Sequence, residues 1–245
     1  MSLYTSSPTL PPARSATLRK PWIRRAAGAG YRAVSGGLVS LGSGVISSAR
    51  VIRNLTHRAL NQSDYPRWSN LKNYEAWWDA RTQKIAQLIP PGSRVIEFGA
   101  GRRQLEKFLD PTCTYVPSDL VDRGGETFVC DLNRHPRPDL GDLKVDTAVF
   151  GGVLEYMHDL ESLVGWLAQQ VSLCVASYSC TPESGIVPKL QERFNRIYYG
   201  YMNSYREEEL IDLFQRAGFK CMARDRWTSQ QVFLFVNQQA RLNER

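Results

Sequence analysis

Glu97 stands two residues before Gly99 in the run Val95-Ile96-Glu97-Phe98-Gly99-Ala100-Gly101, and an acid beside a glycine turn restricts the chemistry on offer. The glycines permit a sharp reversal and let a ligand approach main-chain N–H groups. The acid suits a ligand carrying positive charge. A dinucleotide fingerprint would need a third glycine at position 104, where the chain has Gln104, and its diphosphate has no use for Glu97. Asp119 follows the turn by about twenty residues, the distance at which a doubly wound fold sets its second strand tip beside the first. An acid there can accept from both hydroxyls of a ribose, with Asp122 a competitor for the role. His158 titrates near neutral pH and can serve as a general base on an acceptor hydroxyl, or it can be a surface residue preceding the helix cap Asp159.

These side chains need a sheet to present them. The apolar run after Pro91-Gly92 reads as a buried parallel strand, and Leu105, Phe108 and Leu109 repeat at helical spacing beyond it, giving strand, glycine turn, helix. Further strands are expected at Thr114–Pro117, leading into Asp119, and at Thr127–Cys130, ending at Asp131. A fourth, Val145–Phe150, meets Gly151-Gly152 where such sheets open their crevice, and Ser172–Ser177 is a fifth. A helix over Asn73–Ile89 precedes the sheet, carrying Tyr74, Trp77, Trp78 and Arg81. Another starts at Leu160 behind the cap Asp159. The long aromatic stretch Tyr178–Tyr205 reads as a functional connection. The sequence then closes with a helix, Glu207–Ala217, and two strands, Phe219–Arg226 and Gln231–Val236.

In this order the segments resemble the class I S-adenosylmethionine-dependent methyltransferases, whose first motif is hydrophobic-hydrophobic-acid-hydrophobic-Gly-x-Gly. The run is most similar to bacterial small-molecule and glycan methyltransferases, and the resemblance spans residues 70 to 236. It implies an α/β, doubly wound, Rossmann-like sheet of seven strands, mostly parallel, with an antiparallel C-terminal hairpin strand beside the fifth. It also implies S-adenosylmethionine as cofactor and direct displacement at O or N of a small-molecule or glycan acceptor. By the same resemblance Glu97, Gly99, Ala100, Gly101 and Asp119 hold the cofactor, Asp131 and the Leu132 N–H meet the adenine, the carbonyls near Phe150 and Gly151 hold the ammonium, and Val153 and Leu154 line the methionine chain. A lid role for Tyr74 or Arg81 follows from it too. The departure is Arg102-Arg103, where many members have small residues; cations at a helix start oppose its dipole, so Arg102 is expected to meet the methionine carboxylate. Tyr198, Tyr201 and Asn203 are the expected acceptor contacts. A non-catalytic interaction module and a nicotinamide-dependent oxidoreductase are the rival readings.

Charge divides the chain. Residues 1–63 hold nine Lys or Arg and no acid, whereas the remainder holds 22 basic and 24 acidic residues, so the net +7 belongs to the leader. A near-neutral body argues against a nucleic-acid groove. We therefore expect a basic leader, 1–63, and a catalytic domain, 64–245. In the leader Tyr31, Val34, Leu38, Leu41, Val45, Ile52 and Leu55 form one apolar stripe opposite Arg32, Arg50 and Arg53. That pattern suits a helix on an anionic membrane surface or a docking helix; a transit peptide and a loose tail are the alternatives. Five cysteines without a Cys-x-x-Cys pair suit core thiols in a reducing, cytoplasmic setting, with no metal site expected.

Overall fold

The computed structural model describes residues 41–182 and 186–239. Two compact units divide the chain, Met1–Gly44 and Val45–Arg245, and Tyr31, Val34 and Leu38 lie outside the described residues. Within the second unit, Arg50 and Asn54 of helix α1 (Leu41–Ala59) bond to Tyr198 and Ile197.

A seven-stranded sheet forms the centre: β1 Arg94–Phe98, β2 Thr114–Asp119, β3 Phe128–Val129, β4 Thr147–Gly151, β5 Leu173–Tyr178, β6 Phe219–Trp227 and β7 Gln230–Asn237. Their order is β3-β2-β1-β4-β5-β7-β6. The first five strands run parallel, and β7 lies antiparallel to both β5 and β6. Strand order reverses between β1 and β4, so the crevice opens at their carboxyl ends.

Alternation along β1 sorts its side chains to two faces. Ile96 and Phe98 join Phe150, Ala176 and Phe235 under α4 (Leu160–Leu167) and α6 (Glu207–Arg216). Leu160, Leu163, Val164 and Leu167 give α4 one apolar stripe, and Asp159 caps it by accepting from the Ser162 N–H at 2.9 Å. Phe214 of α6 stacks on Phe235 at 3.9 Å between centroids. On the other face Val95 joins Val149, Val175 and Val232 beneath Ile85 and Ala86 of α3 (Asp79–Ala86). Glu97 is two residues from Val95, so it points to the α3 face.

Three expectations need correction. After the glycine turn the chain makes only a 3-10 turn, Leu105–Lys107, because Arg103 takes a left-handed φ of +54° and its guanidinium clasps Glu106 and Glu126. No helix N-terminus faces the turn. The helix expected over Asn73–Ile89 is two 3-10 turns followed by the shorter α3, since Tyr74 and Glu75 are extended, and a single-turn helix α2 (Tyr65–Trp68) precedes them. The stretch Tyr178–Tyr205 contains a 14-residue helix, α5 (Ile186–Tyr199). Leu190, Phe194 and Ile197 recur there at helical spacing, and Pro188 sits in the first turn, where a missing N–H costs nothing.

Candidate active site

Tips of adjacent strands bring three carboxylates together. Glu97 closes β1 in register with Pro117 of β2 and Val149 of β4. It is buried, accepts from the Tyr115 hydroxyl, and burial pushes its carboxyl up to about 8, against the opposing pull of Tyr115 and Arg81. Asp119 ends β2, with 2% of its surface exposed. It accepts from the Gly101 N–H at 3.0 Å and the Leu120 N–H at 2.7 Å, which ties the glycine turn to the neighbouring strand. Asp131 follows β3 and accepts from the Ser63 and Tyr65 hydroxyls at 2.8 and 2.9 Å. Position and spacing mark Glu97 and Asp119 in the sequence, and the family resemblance marks Asp131; what covers them has no such signal.

Arg123, four residues past Asp119, pairs with it at 3.1 Å inside the protein. The same guanidinium donates to the Trp68 carbonyl and, at 2.7 Å, to that of Ser69, and it faces the Tyr74 ring. Tyr74 in turn lies on the glycine turn: a Cβ at Gly101, whose φ is +51°, would stand 2.1 Å from the Tyr74 ring. The lead-in to α3 thus covers both Asp119 and the turn. Gly101→Ala should cost about 1 to 3 kcal/mol in denaturant unfolding, from strain and the collision together. Part of that loss should vanish in a Tyr74→Ala background, measured as a double-mutant cycle.

A second polar cluster, buried, lies at the ends of β4, β5 and β7. Arg81 of α3 reaches over Gly152, where a Cβ would meet it at 2.5 Å, and lies near the faces of Trp78 and Trp227. It donates to Gln230 Oε1 at 3.1 Å, and Gln230 Nε2 donates to Glu155 Oε1 at 3.2 Å. Glu155 is fully buried and also accepts from the Ser179 N–H at 2.8 Å, while its Oε2 has no hydrogen-bond partner. Burial raises the Glu155 carboxyl and lowers the Arg81 guanidinium. Glu155 and Gln230 escaped the sequence reading because β7 brings Gln230 across from far along the chain.

The other expected residues divide. Val153 packs on Gly99, whose Cβ would come within 2.7 Å of it, and Ala100 and Leu132 are buried behind the turn and β3. Gly151 lies under Arg81 and Ile85. Arg102 is exposed and donates to the Leu71 carbonyl at 3.0 Å, whereas Arg81 and Arg123 are the buried cations described above. The expectation for Arg102 rested on a helix that does not form. His158 bonds to the backbone of Gln62 near Asp131, and burial lowers its imidazole. Tyr198 faces α1, its hydroxyl accepting from Arg50 at 3.1 Å. Tyr201 packs edge-on against Tyr156, with Arg196 over its ring. Asn203 accepts from the Tyr178 hydroxyl at 2.6 Å and donates to the carbonyls of Leu154 and Met157. Asn203→Ala should therefore cost about 2 to 4 kcal/mol in urea unfolding, since three buried groups lose a partner. A residue that touched only an acceptor would change KM and leave the midpoint alone.

Residues 70–223 match the family described as a methyltransferase domain. The chain belongs to this family. Solved structures agree on the fold of the methyltransferase. Mitomycin 7-O-methyltransferase superposes with a TM-score of 0.57 at 13% identity, over 78% of this chain and 68% of that one. The Burkholderia thailandensis 1,6-didemethyltoxoflavin-N1-methyltransferase, solved with its namesake compound and S-adenosylhomocysteine, gives 0.51 at 16% identity, over 83% and 93%. Human N-acetylserotonin methyltransferase, in complex with S-adenosylmethionine, gives 0.54 at 11%, over 78% and 66%. No curated protein matches the chain. The seven-stranded arrangement, with β7 inserted antiparallel beside β5, is the one the class I resemblance implied.

Proposed function

We propose that the methyltransferase moves a methyl group from S-adenosylmethionine to O or N of a small-molecule acceptor. The observation that carries this reading is the row of acids at three adjacent strand tips around a glycine turn, in a chain of this family. The residues fit the cofactor. Glu97 would answer its ammonium, Asp119 its ribose hydroxyls, and Asp131 with the Leu132 N–H its adenine; Gly99 to Gly101 offer main chain, and Val153 borders the methionine arm. When bound, the cofactor supplies an electrophilic methyl on a sulfonium. The protein's own work is alignment, exclusion of water and removal of the acceptor's proton where needed. To admit the ribose, Arg123 must release Asp119, and Tyr74 must lift from Gly101.

For the acceptor we favour the region of Arg81, Gln230 and Glu155. Trp77 is exposed and stacks at 4.8 Å on Trp227, which lies beside Arg81, a face suited to an aromatic or sugar ring, and a glycan acceptor is the finer form of this proposal. Glu155, with an unpartnered Oε2 and a carboxyl raised by burial, joins His158, whose Nε2 is also buried without a partner, as a candidate to take a proton. Five free cysteines support a cytoplasmic setting, with the basic leader toward a membrane surface. Among the described residues no helix is long and apolar enough to cross a membrane.

One observation favours the rival, a non-catalytic module: each strand-tip acid already has a protein partner, Tyr115, Arg123, or Ser63 with Tyr65. Calorimetric titration with S-adenosylmethionine, then mass spectrometry of a metabolite extract incubated with isotopic methyl donor, separates the two. Micromolar binding and a labelled product are expected. Absence of binding sinks the enzyme reading, and binding of a nicotinamide cofactor instead would favour the oxidoreductase.

A further inference from the structure

Helix α1 docks on the body by its polar side. Asn54, only 4% exposed, donates to the carbonyls of Ile197 and Tyr198 at 2.9 Å each, and Arg50 reaches the Tyr198 hydroxyl and lies over its ring at 4.9 Å. A residue two positions from Asn54 stands about 200° around the helix from it. Ile52 is therefore turned to solvent, 63% exposed, and Leu55 is 45% exposed. Helix α5 repeats the arrangement. Its Arg196 is turned inward, bonding Ser179, Asn203 and Tyr178, so that Phe194, two positions earlier, is 69% exposed and Leu190, one turn before that, 61%. Two helices in contact thus hold each other by polar groups and leave apolar residues outside, the reverse of the usual arrangement in a water-soluble domain.

The surrounding charge says what covers them. Helix α1 carries Arg50, Arg53 and Arg58 and no acid, and Arg193 stands exposed beside Phe194. Among the described residues the acids here are engaged: Asp64 pairs with Arg53 and Glu192 of α5 with Arg196. The stretch before Asp64 supplies six further cations, Arg14 to Arg32, again without an acid. Apolar side chains that can enter an acyl layer, framed by cations of one sign, match an anionic lipid surface, which takes both signals at once. The geometry points to the α1 and α5 apolar residues, Ile52, Leu55, Leu190 and Phe194, as a docking surface for an anionic bilayer. This deepens the membrane placement proposed above and is independent of the methyl-transfer chemistry, which lies across the sheet tips.

The test is cosedimentation of the full chain with vesicles of phosphatidylcholine alone or mixed equally with phosphatidylglycerol. Binding is expected only to the mixed vesicles, weakening as salt is raised. Ile52→Ser/Leu55→Ser and Leu190→Ser/Phe194→Ser, which leave every charge in place, should each lower that binding roughly tenfold. Their melting temperatures should match the parent, because the altered side chains are exposed. Methylation of a soluble acceptor, measured in parallel, should not change, which keeps this inference separable from the enzyme reading. Any of these results would overturn it: no binding to mixed vesicles, equal binding to neutral ones, or serine variants that bind like the parent, in which case the cations alone carry the attraction. A concentration-dependent dimer abolished by the same substitutions would likewise overturn it and make the face a contact between copies.

Discussion

Asp119→Asn should lose cofactor affinity by roughly a hundredfold or more in calorimetry, since charge-assisted hydrogen bonds are worth about 1.5 to 3 kcal/mol each and a ribose would use two. The same change should destabilise the free protein by about 3 to 5 kcal/mol, because Arg123 is left buried without its counter-charge. The two effects are separable. Asp119→Asn/Arg123→Gln removes both charges, so it should recover most of the stability while leaving affinity low. Arg123→Gln alone frees Asp119 and releases the Trp68 and Ser69 carbonyls. It should bind the cofactor at least as well as the parent, because the competing cation is gone. An affinity that falls in Arg123→Gln as far as in Asp119→Asn would show that the guanidinium belongs to the bound state and does not stand in its way.

Glu97→Gln carries the second large effect, and its sign depends on pH. Burial raises the Glu97 carboxyl from its ordinary 4.5 to about 8, so the folded protein prefers it protonated. The stability that goes with this is fully present below about 4.5 and is lost as pH rises through about 8. Glutamine resembles the protonated form. Without ligand, Glu97→Gln should match the parent in melting temperature under acid conditions and exceed it under alkaline ones. A cationic ligand reverses the preference, since it is held by the ionised carboxylate. The parent's affinity for S-adenosylmethionine should therefore climb relative to the variant as pH approaches and passes about 8, with a gap of roughly thirtyfold or more at the plateau. Titration of the ligand itself cancels in that ratio. A ratio that stays flat with pH would remove Glu97 from the binding site.

The strands were readable because apolar runs closed by turn residues leave little choice, and because each acid stands at a strand tip at a recognisable distance from the glycines. Their partners were not readable. Tyr115 reaches Glu97 through parallel register, Ser63 and Tyr65 come to Asp131 from ahead of the first strand, and Gln230 reaches Glu155 only once β7 is inserted. Pattern alone also cannot foresee a left-handed Arg103, and that single conformation removed the helix on which the role of Arg102 depended. The helix α5 was not legible either: the tyrosines of Tyr178–Tyr205 suggested an acceptor pocket, and the packing of Tyr198 on α1 and of Tyr201 beside Tyr156 appears only in the structure.

Placement of β7 has a consequence for biosynthesis. β5 finds its second neighbour only in Gln230–Asn237, more than fifty residues further along the chain. While the ribosome is still making the intervening segment, β5 presents an open row of backbone donors and acceptors beside Cys174 and Ala176, an invitation to foreign strands. Nascent products stalled before Gln230 should accordingly be caught by chaperones or aggregate, and the sheet should close late and slowly, as expected for pairing over so long a separation.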